Sequence, residues 1–453
     1  MRCSLLWLLP PLMLVACKKD DDDGDDEGTC EVGDPATCPA GQTCEPVQGG
    51  EPACFAPLTV RGRVFDTLDE EGIGGARVVA RDANGAARSS VVLTEADGTY
   101  ELPVPSPRDA DGRPVGEPFT LRADASGYLT FPKAPRPALP LDPTEASEED
   151  SATVLSGAAA DLGLIALDDP DAYGTIAGTV SSDDPGGTLV VAGGSTGVAD
   201  QDGSFVVFNV DPGTVQVAGY QKGTQLDTES ADVSAGEQTD GIVLEALGEA
   251  TAIVSGNVQI VNAPGGSVTS VILVLEDTFD PATIRGEAPP GLRAGQVDGD
   301  WSIEGVPDGR YVVLAAFEND LLVRDPDTSI GGTDIVTIDV SGGDEQVDGF
   351  KVTEALAVVS PGAEAPERVT APLTLTWVDD SSEDEYLVEV YDALGELVWD
   401  TQGDFDPGGN APASVSYDGP LEPGMVYQFR ATSLKDGVPL STTEDLLGVF
   451  QAD

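Results

Sequence analysis

Histidine is absent from the 453 residues. With it go the Ser-His-Asp and Cys-His nucleophile pairs and the HExxH zinc site, each of which needs an imidazole of near-neutral pKa. Basic residues are scarce as well: 22 Lys and Arg stand against 81 Asp and Glu, a formal charge of −59. Removal of residues 1–16 would take Arg2 and no carboxylate, so 21 − 81 leaves −60 on the mature chain. A field of that sign repels phosphate and acidic headgroups, which excludes nucleic-acid binding and the docking of a basic helix on a membrane. Long helices are excluded by the 54 Gly and 34 Pro, because together these breakers make up roughly a fifth of the chain. Short strands joined by tight turns suit that composition, and the length suggests about three or four domains.

Residues 1–16, MRCSLLWLLPPLMLVA, read as a signal peptide, too short to span a membrane and interrupted by Pro10 and Pro11. Leu14-Val15-Ala16-Cys17 resembles the lipobox of bacterial lipoproteins. That resemblance implies cleavage before Cys17, lipidation of its thiol, and a membrane partner reached through the acyl chains. The alternative is an ordinary secretory signal with an incidental cysteine. Residues 17–28 add Lys18-Lys19, then Asp20 to Asp23, Asp25, Asp26 and Glu27, a like-charged run that cannot collapse and reads as a solvated tether. Basic residues followed at once by acidic ones also resemble the surface-export signal of some Gram-negative lipoproteins. The implied location is the outer membrane, facing outward; a generic spacer facing the periplasm is the alternative.

Cys30, Cys38, Cys44 and Cys54 fall inside the Gly-, Pro- and Thr-rich segment 29–56. Outside the cytoplasm this reads as a two-disulfide knot with three possible connectivities. Four thiolates could instead hold zinc, but CxxC spacing is missing.

From residue 57 one outline returns three times. It opens on Val60-Arg61-Gly62-Arg63-Val64, Ile176-Ala177-Gly178-Thr179-Val180 and Val254-Ser255-Gly256-Asn257-Val258. Alternation around a central Gly marks a half-buried strand that another element approaches closely. A second strand follows, clearest at 76–80 and 271–275. Next come Asp97-Gly98-Thr99-Tyr100, Asp202-Gly203-Ser204-Phe205 and Asp298-Gly299-Asp300-Trp301, a positive-φ turn with an aromatic placed to enter the core. A further strand carries Phe119, Leu121 and Ala123, then Val215 and Val217, then Tyr311, Val313 and Ala315. The outline resembles the carboxypeptidase regulatory-like domain, a prealbumin-like β-sandwich, best in the first repeat with Gly72-Ile73-Gly74-Gly75-Ala76 and Ala125-Ser126-Gly127-Tyr128. The resemblance implies three sandwiches, at 57–168, 173–248 (short) and 249–356. It implies no peptidase, since the namesake module is a non-catalytic appendage.

Residues 357–453 differ. Leu373-Thr374-Leu375-Thr376-Trp377, the strand 386–391 and Leu421-Glu422-Pro423-Gly424-Met425-Val426-Tyr427-Gln428-Phe429 resemble a fibronectin type III domain, with Trp377 as the early core tryptophan and Tyr427 as the tyrosine corner. The fold class is therefore all-β: tandem β-sandwich modules after a signal peptide, acidic tether and disulfide-rich segment.

Candidate sites are few. Asp200, Asp202, Asp298 and Asp300 offer hard oxygens for calcium, but turn chemistry accounts for the Asp-Gly pairs and no EF-hand register fits. The run 379–385 reads as a solvated acidic loop, with cation binding as the alternative. A paired-carboxylate glycosidase is not selected by any motif, and modules of this size leave little depth for a cleft. Trp301, Tyr220 and Trp399 could stack on sugar rings, although each sits in or beside a strand, where a core role serves as well. No catalytic residue, metal or cofactor is assigned. The expectation is a monomeric, non-enzymatic, lipid-anchored stalk for surface presentation, adhesion or protein binding, its partner an unidentified protein or glycan. The alternative is carbohydrate or cell-wall glycan binding by the sandwiches. Four modules in line would reach about 140 Å at about 3.4 Å per strand residue.

Overall fold

The computed structural model describes residues 30–32, 37–82, 85–133, 136, 138–149, 152–261, 268–281, 285–315, 322–324, 335–380, 383–393, 396–405, 411–443 and 447–452. Cys17, the signal peptide 1–16 and the tether 17–28 lie outside the described residues. Among the described residues strand accounts for 58% and helix for 3%, so the protein is all-β, as its density of Gly and Pro requires.

Three stretches share one plan. In each, the first strand lies between the strand that follows the Asp-Gly, antiparallel, and the closing strand, parallel. In the first unit, Leu58–Asp66 pairs with Thr99–Val104 and Ala152–Leu164. In the second, Gly174–Ser181 pairs with Ser204–Val210 and Gln238–Glu249. In the third, Ala252–Val261 pairs with Asp300–Val306 and Phe350–Glu354. A second sheet faces this one in each unit, centred on Arg77–Arg81 with Thr120–Asp124, Leu189–Ala192 with Gly213–Tyr220, and Thr269–Leu275 with Gly309–Ala315.

The repeated glycine now has a reason. Gly62 pairs with Tyr100, Gly178 with Phe205 and Gly256 with Trp301, and all three rings are buried. A Cβ on Gly62 would lie 2.1 Å from the Ala160 carbonyl oxygen and 2.7 Å from the Tyr100 hydroxyl. On Gly178 it would lie 2.2 Å from the Ile242 oxygen and 2.6 Å from the Phe205 ring, and on Gly256 2.7 Å from the Trp301 ring. Each ring thus rests on a bare Cα, the cross-strand packing by which an aromatic covers a strand glycine.

The turns hold in two repeats and change in the third. Gly98 (φ 82°) and Gly203 (φ 84°) take the left-handed backbone, and the Asp97 and Asp202 carboxylates accept the N–H groups of Thr99 and Ser204. Gly299 has no positive φ; the left-handed residue nearby is Gln296 (φ 56°), at a register shift within the strand Arg293–Val297, which no Asp-Gly pattern announces.

The C-terminal stretch pairs Leu373–Trp377 with Val358–Ser360 and Ala413–Tyr417, opposite a sheet built on Glu385–Asp392 and Val426–Lys435. Trp377 is fully buried among Tyr386, Phe405 and Phe429. The buried Tyr427 hydroxyl accepts the Glu422 N–H at 2.9 Å, the kind of contact a tyrosine corner makes.

The units are not strung end to end, which corrects the in-line expectation. Leu189 and Val191 of the second stretch complete the hydrophobic core of the third, and Tyr220 meets Tyr311 edge to face at 6.3 Å. Ile165 and Leu129 from the first stretch pack with Ala393, Met425, Val426 and Val449 from the last. In the second sheet of the third stretch, alternation placed Tyr311 and Val313 inward, yet Val312 and Leu314 are buried too. Phe279 and Ala288 cover that other face.

Candidate functional site

The cysteines form Cys30–Cys44 and Cys38–Cys54, one of the three possible connectivities. Cys44 and Cys54 stand opposite each other in the small hairpin of Thr43–Glu45 with Ala53–Phe55, yet each is bonded elsewhere, so the two bridges tie the preceding loop to both strands. Among the described residues, the only close trio of possible metal-ligand atoms is Cys30, Cys38 and Cys54, and their sulfurs are spent in these bridges. The knot is docked by charge. The Glu45 carboxylate, buried, accepts from the Arg108 Nε and from the Ser106 N–H, while Arg108 Nη2 donates to the Ala56 carbonyl at 2.7 Å and its guanidinium covers Phe55. Alkylation of the unreduced mature protein is expected to add no group at the four positions; a mass gain at any of them would contradict the pairing.

The residues considered for sugar stacking do structural work. Trp301 is covered in the core, Tyr220 packs on Tyr311, and the Trp399 Nε1 donates to Asp418 at 2.7 Å while its ring meets Tyr417 at 5.2 Å. The acidic loop is likewise anchored. Asp379 accepts from the Tyr386 hydroxyl, Asp380 from the Ser433 hydroxyl, and Asp384 from Lys435 and the Asp436 N–H. Residues 381–382 of that run lie outside the described set. Burial, then the Asp379 and Asp380 charges, raise the Glu383 carboxyl above its ordinary value.

The site that the sequence did not single out lies where the first three stretches meet. On strands Arg77–Arg81 and Thr120–Asp124, alternation points Arg77, Val79, Arg81 and Arg122 away from their own core. Arg122 is nevertheless fully buried. Its Nε and Nη2 donate to the Asp124 carboxylate at 2.8 and 2.9 Å, its Nη2 also to the Thr196 hydroxyl of the second stretch, and its Nη1 to Glu287 of the third at 2.9 Å. Arg81 approaches the other Glu287 oxygen at 3.8 Å. Burial alone would lower the Arg122 guanidinium, but Asp124 and Glu287 hold it above its ordinary value. Burial alone would raise Glu287, and Arg122 and Arg81 instead hold it below the usual carboxylate range. This is a bidentate pair extended to a third partner, the strong form of the interaction.

Asn209 closes the same junction. It sits at φ 57°, a backbone conformation that Asn tolerates, its Oδ1 accepts the Gly127 N–H at 2.7 Å, and its Nδ2 donates to the Tyr128 and Ala125 carbonyls. The Asp200 carboxylate, weighed above as a calcium ligand, instead accepts the Val91 N–H across the boundary. The arrangement can fix three sandwiches relative to one another.

No family model matches the sequence, and no curated protein matches it. Solved structures do resemble the chain. The Bacillus anthracis TIE protein is 13% identical, the match covering 85% of this chain and 67% of that one, with a TM-score of 0.17. A streptococcal ancillary pilin is 11% identical over 66% of this chain and 98% of its own, with a TM-score of 0.18. A DUF3823 family protein from Parabacteroides merdae is 15% identical over 43% of this chain and 98% of its own, with a TM-score of 0.17.

Proposed function

We propose that the chain is a non-enzymatic, lipid-anchored protein of the cell envelope, displayed from the outer membrane to present β-sandwich modules for adhesion or protein binding. The sequence segments support its parts: a lipobox ending at Cys17, an acidic tether to residue 28, a disulfide knot, three regulatory-like sandwiches and a fibronectin type III-like sandwich. The observation that carries the reading is the Arg122 junction. A buried charge cluster shared among three modules fixes the directions in which their end loops point, as a presenting scaffold needs, and it spends its polar groups on one another rather than on a substrate. Of the three aromatics weighed for glycan binding, Trp301 is buried in the core, while Tyr220 and Trp399 are half-buried against Tyr311 and Tyr417.

The anchor is the testable element. Cys17→Ser is expected to move the protein out of the detergent phase of a phase-separation experiment, because several acyl chains on one residue supply the multiple signals that stable attachment requires. Unchanged partitioning would contradict the lipidation.

A further inference from the structure

Beside the Arg122 junction lies an open cavity of about 440 Å³, lined by the first three stretches together. The volume falls within the range of small-molecule sites, which also tend to lie between domains. Its charge runs against the rest of the molecule. Arg81, Lys133, Arg136, Arg285 and Arg293 line it, five of the chain's 22 Lys and Arg, against Asp82, Asp211, Asp280 and Glu287, four of its 81 Asp and Glu. Chain-wide, acids outnumber bases by more than three to one; here bases prevail, and Glu287 is already engaged by Arg122 and Arg81.

Arg136 is the cation with least compensation. Its guanidinium lies 4.9 Å from the centroid of the Phe131 ring, and among the described residues it has no carboxylate partner. Burial pushes it down to about 10 with no anion raising it again. A half-buried guanidinium with its fork open is costly unless something fills it, and the planar, oxygen-bearing partner that fits is a carboxylate. Around it the cavity offers hydroxyls from Thr120, Thr130, Ser195 and Thr278 and rings from Tyr128 and Tyr173. Leu129, Leu167, Phe208 and Ile272 line it as well, and hydroxyl groups beside an apolar wall suit a sugar ring, which has hydroxyls at its edge and C–H groups on its faces.

We propose that this cavity binds a sugar acid of mono- or disaccharide size, its carboxylate on Arg136 and its ring hydroxyls on the surrounding Thr and Ser side chains. A carboxylate is preferred over a phosphate because the second charge of a phosphate would face Asp82, Asp211 and Asp280 in the same lining. The site is separate from the scaffold reading: an empty cavity would leave the anchored, presenting body intact.

The test is calorimetric titration of the full mature protein, in detergent, with glucuronate, glucose 6-phosphate and glucose. Glucuronate is expected to bind at least tenfold more tightly than glucose and more tightly than glucose 6-phosphate. Arg136→Gln should weaken glucuronate at least tenfold and leave glucose unchanged. Lys133→Glu, at the exposed rim, should weaken it severalfold and serves if Arg136→Gln does not fold. Arg61→Gln, remote and exposed, should change nothing. Equal binding of glucuronate and glucose, tighter binding of the phosphate, or glucuronate affinity untouched by both pocket variants would overturn the proposal.

Discussion

Replacing Arg122 with Met is expected to cost about 3–5 kcal/mol, the usual loss when one partner of a buried ion cluster is removed and the others stay uncompensated. Asp124, buried, and Glu287, half-buried at the edge of the cavity, would remain, turned toward an apolar side chain. For units of this size about 1 kcal/mol moves Tm by roughly 4–8 °C, so a fall of at least about 12 °C is the readout. The triple change Arg122→Met, Asp124→Leu and Glu287→Leu should recover most of that fall, because a packed apolar replacement of a whole buried cluster is often neutral or better.

The same junction fixes a pH dependence. The folded-state pKa of Glu287 is depressed, so its contribution is present above the unfolded carboxyl pKa of about 4.3 and is lost as pH falls through the folded value. The Tm difference between wild type and Glu287→Gln is therefore expected to be largest near neutrality and to close below about pH 4. A difference that stays constant down to pH 3 would show that the carboxylate charge is not what the site uses.

Gly62→Ala is expected to destabilise by about 3 kcal/mol, at the upper end of overpacking effects. The sign is informative, since Ala in place of Gly at an open strand position stabilises by about 0.5–1 kcal/mol. Here the new methyl would meet the Ala160 carbonyl oxygen at 2.1 Å, and no side-chain change can move a backbone atom of the closing strand. Gly256→Ala is different, because the nearest atoms to its Cβ all belong to the Trp301 ring. Trp301→Leu should therefore partly rescue Gly256→Ala, giving a favourable coupling in a double-mutant cycle. The corresponding Tyr100→Leu should not rescue Gly62→Ala. Thermal melts of the six variants check the pattern.

These expectations mark where the sequence was readable. The strand glycines and the core aromatics were each legible from short motifs at fixed spacing, but that the aromatic is what rests on the glycine emerges only from the strand pairing that brings them face to face. The disulfide knot was legible as a knot but not as a connectivity, since spacing cannot choose among three pairings; the hairpin that sets Cys44 opposite Cys54 without joining them shows why. Arg122 was not legible. Between Leu121 and Ala123 it alternates as a solvent-facing residue, and only the arrival of Thr196, 74 positions later, and Glu287, 165 positions later, makes it a core residue. Asn209 and Gln296 were missed for a related reason: their left-handed backbones accompany a boundary contact and a register shift inside a strand, not an Asp-Gly signal. Alternation reports which face looks away from a module's own core, and it is silent on what a neighbouring module lays over that face.

That shared burial is what makes the modules one body, and small-angle X-ray scattering of the full mature protein in detergent, with the micelle contrast-matched, measures it most directly. A compact particle is predicted. A single globule of this chain length has a radius of gyration of about 22 Å, and the body, with its tether, should lie only a few ångströms above it. Arg122→Met should raise that value. A maximum dimension near about 140 Å, the length of four sandwiches in line, would contradict the packed arrangement and return the chain to a string of separate modules.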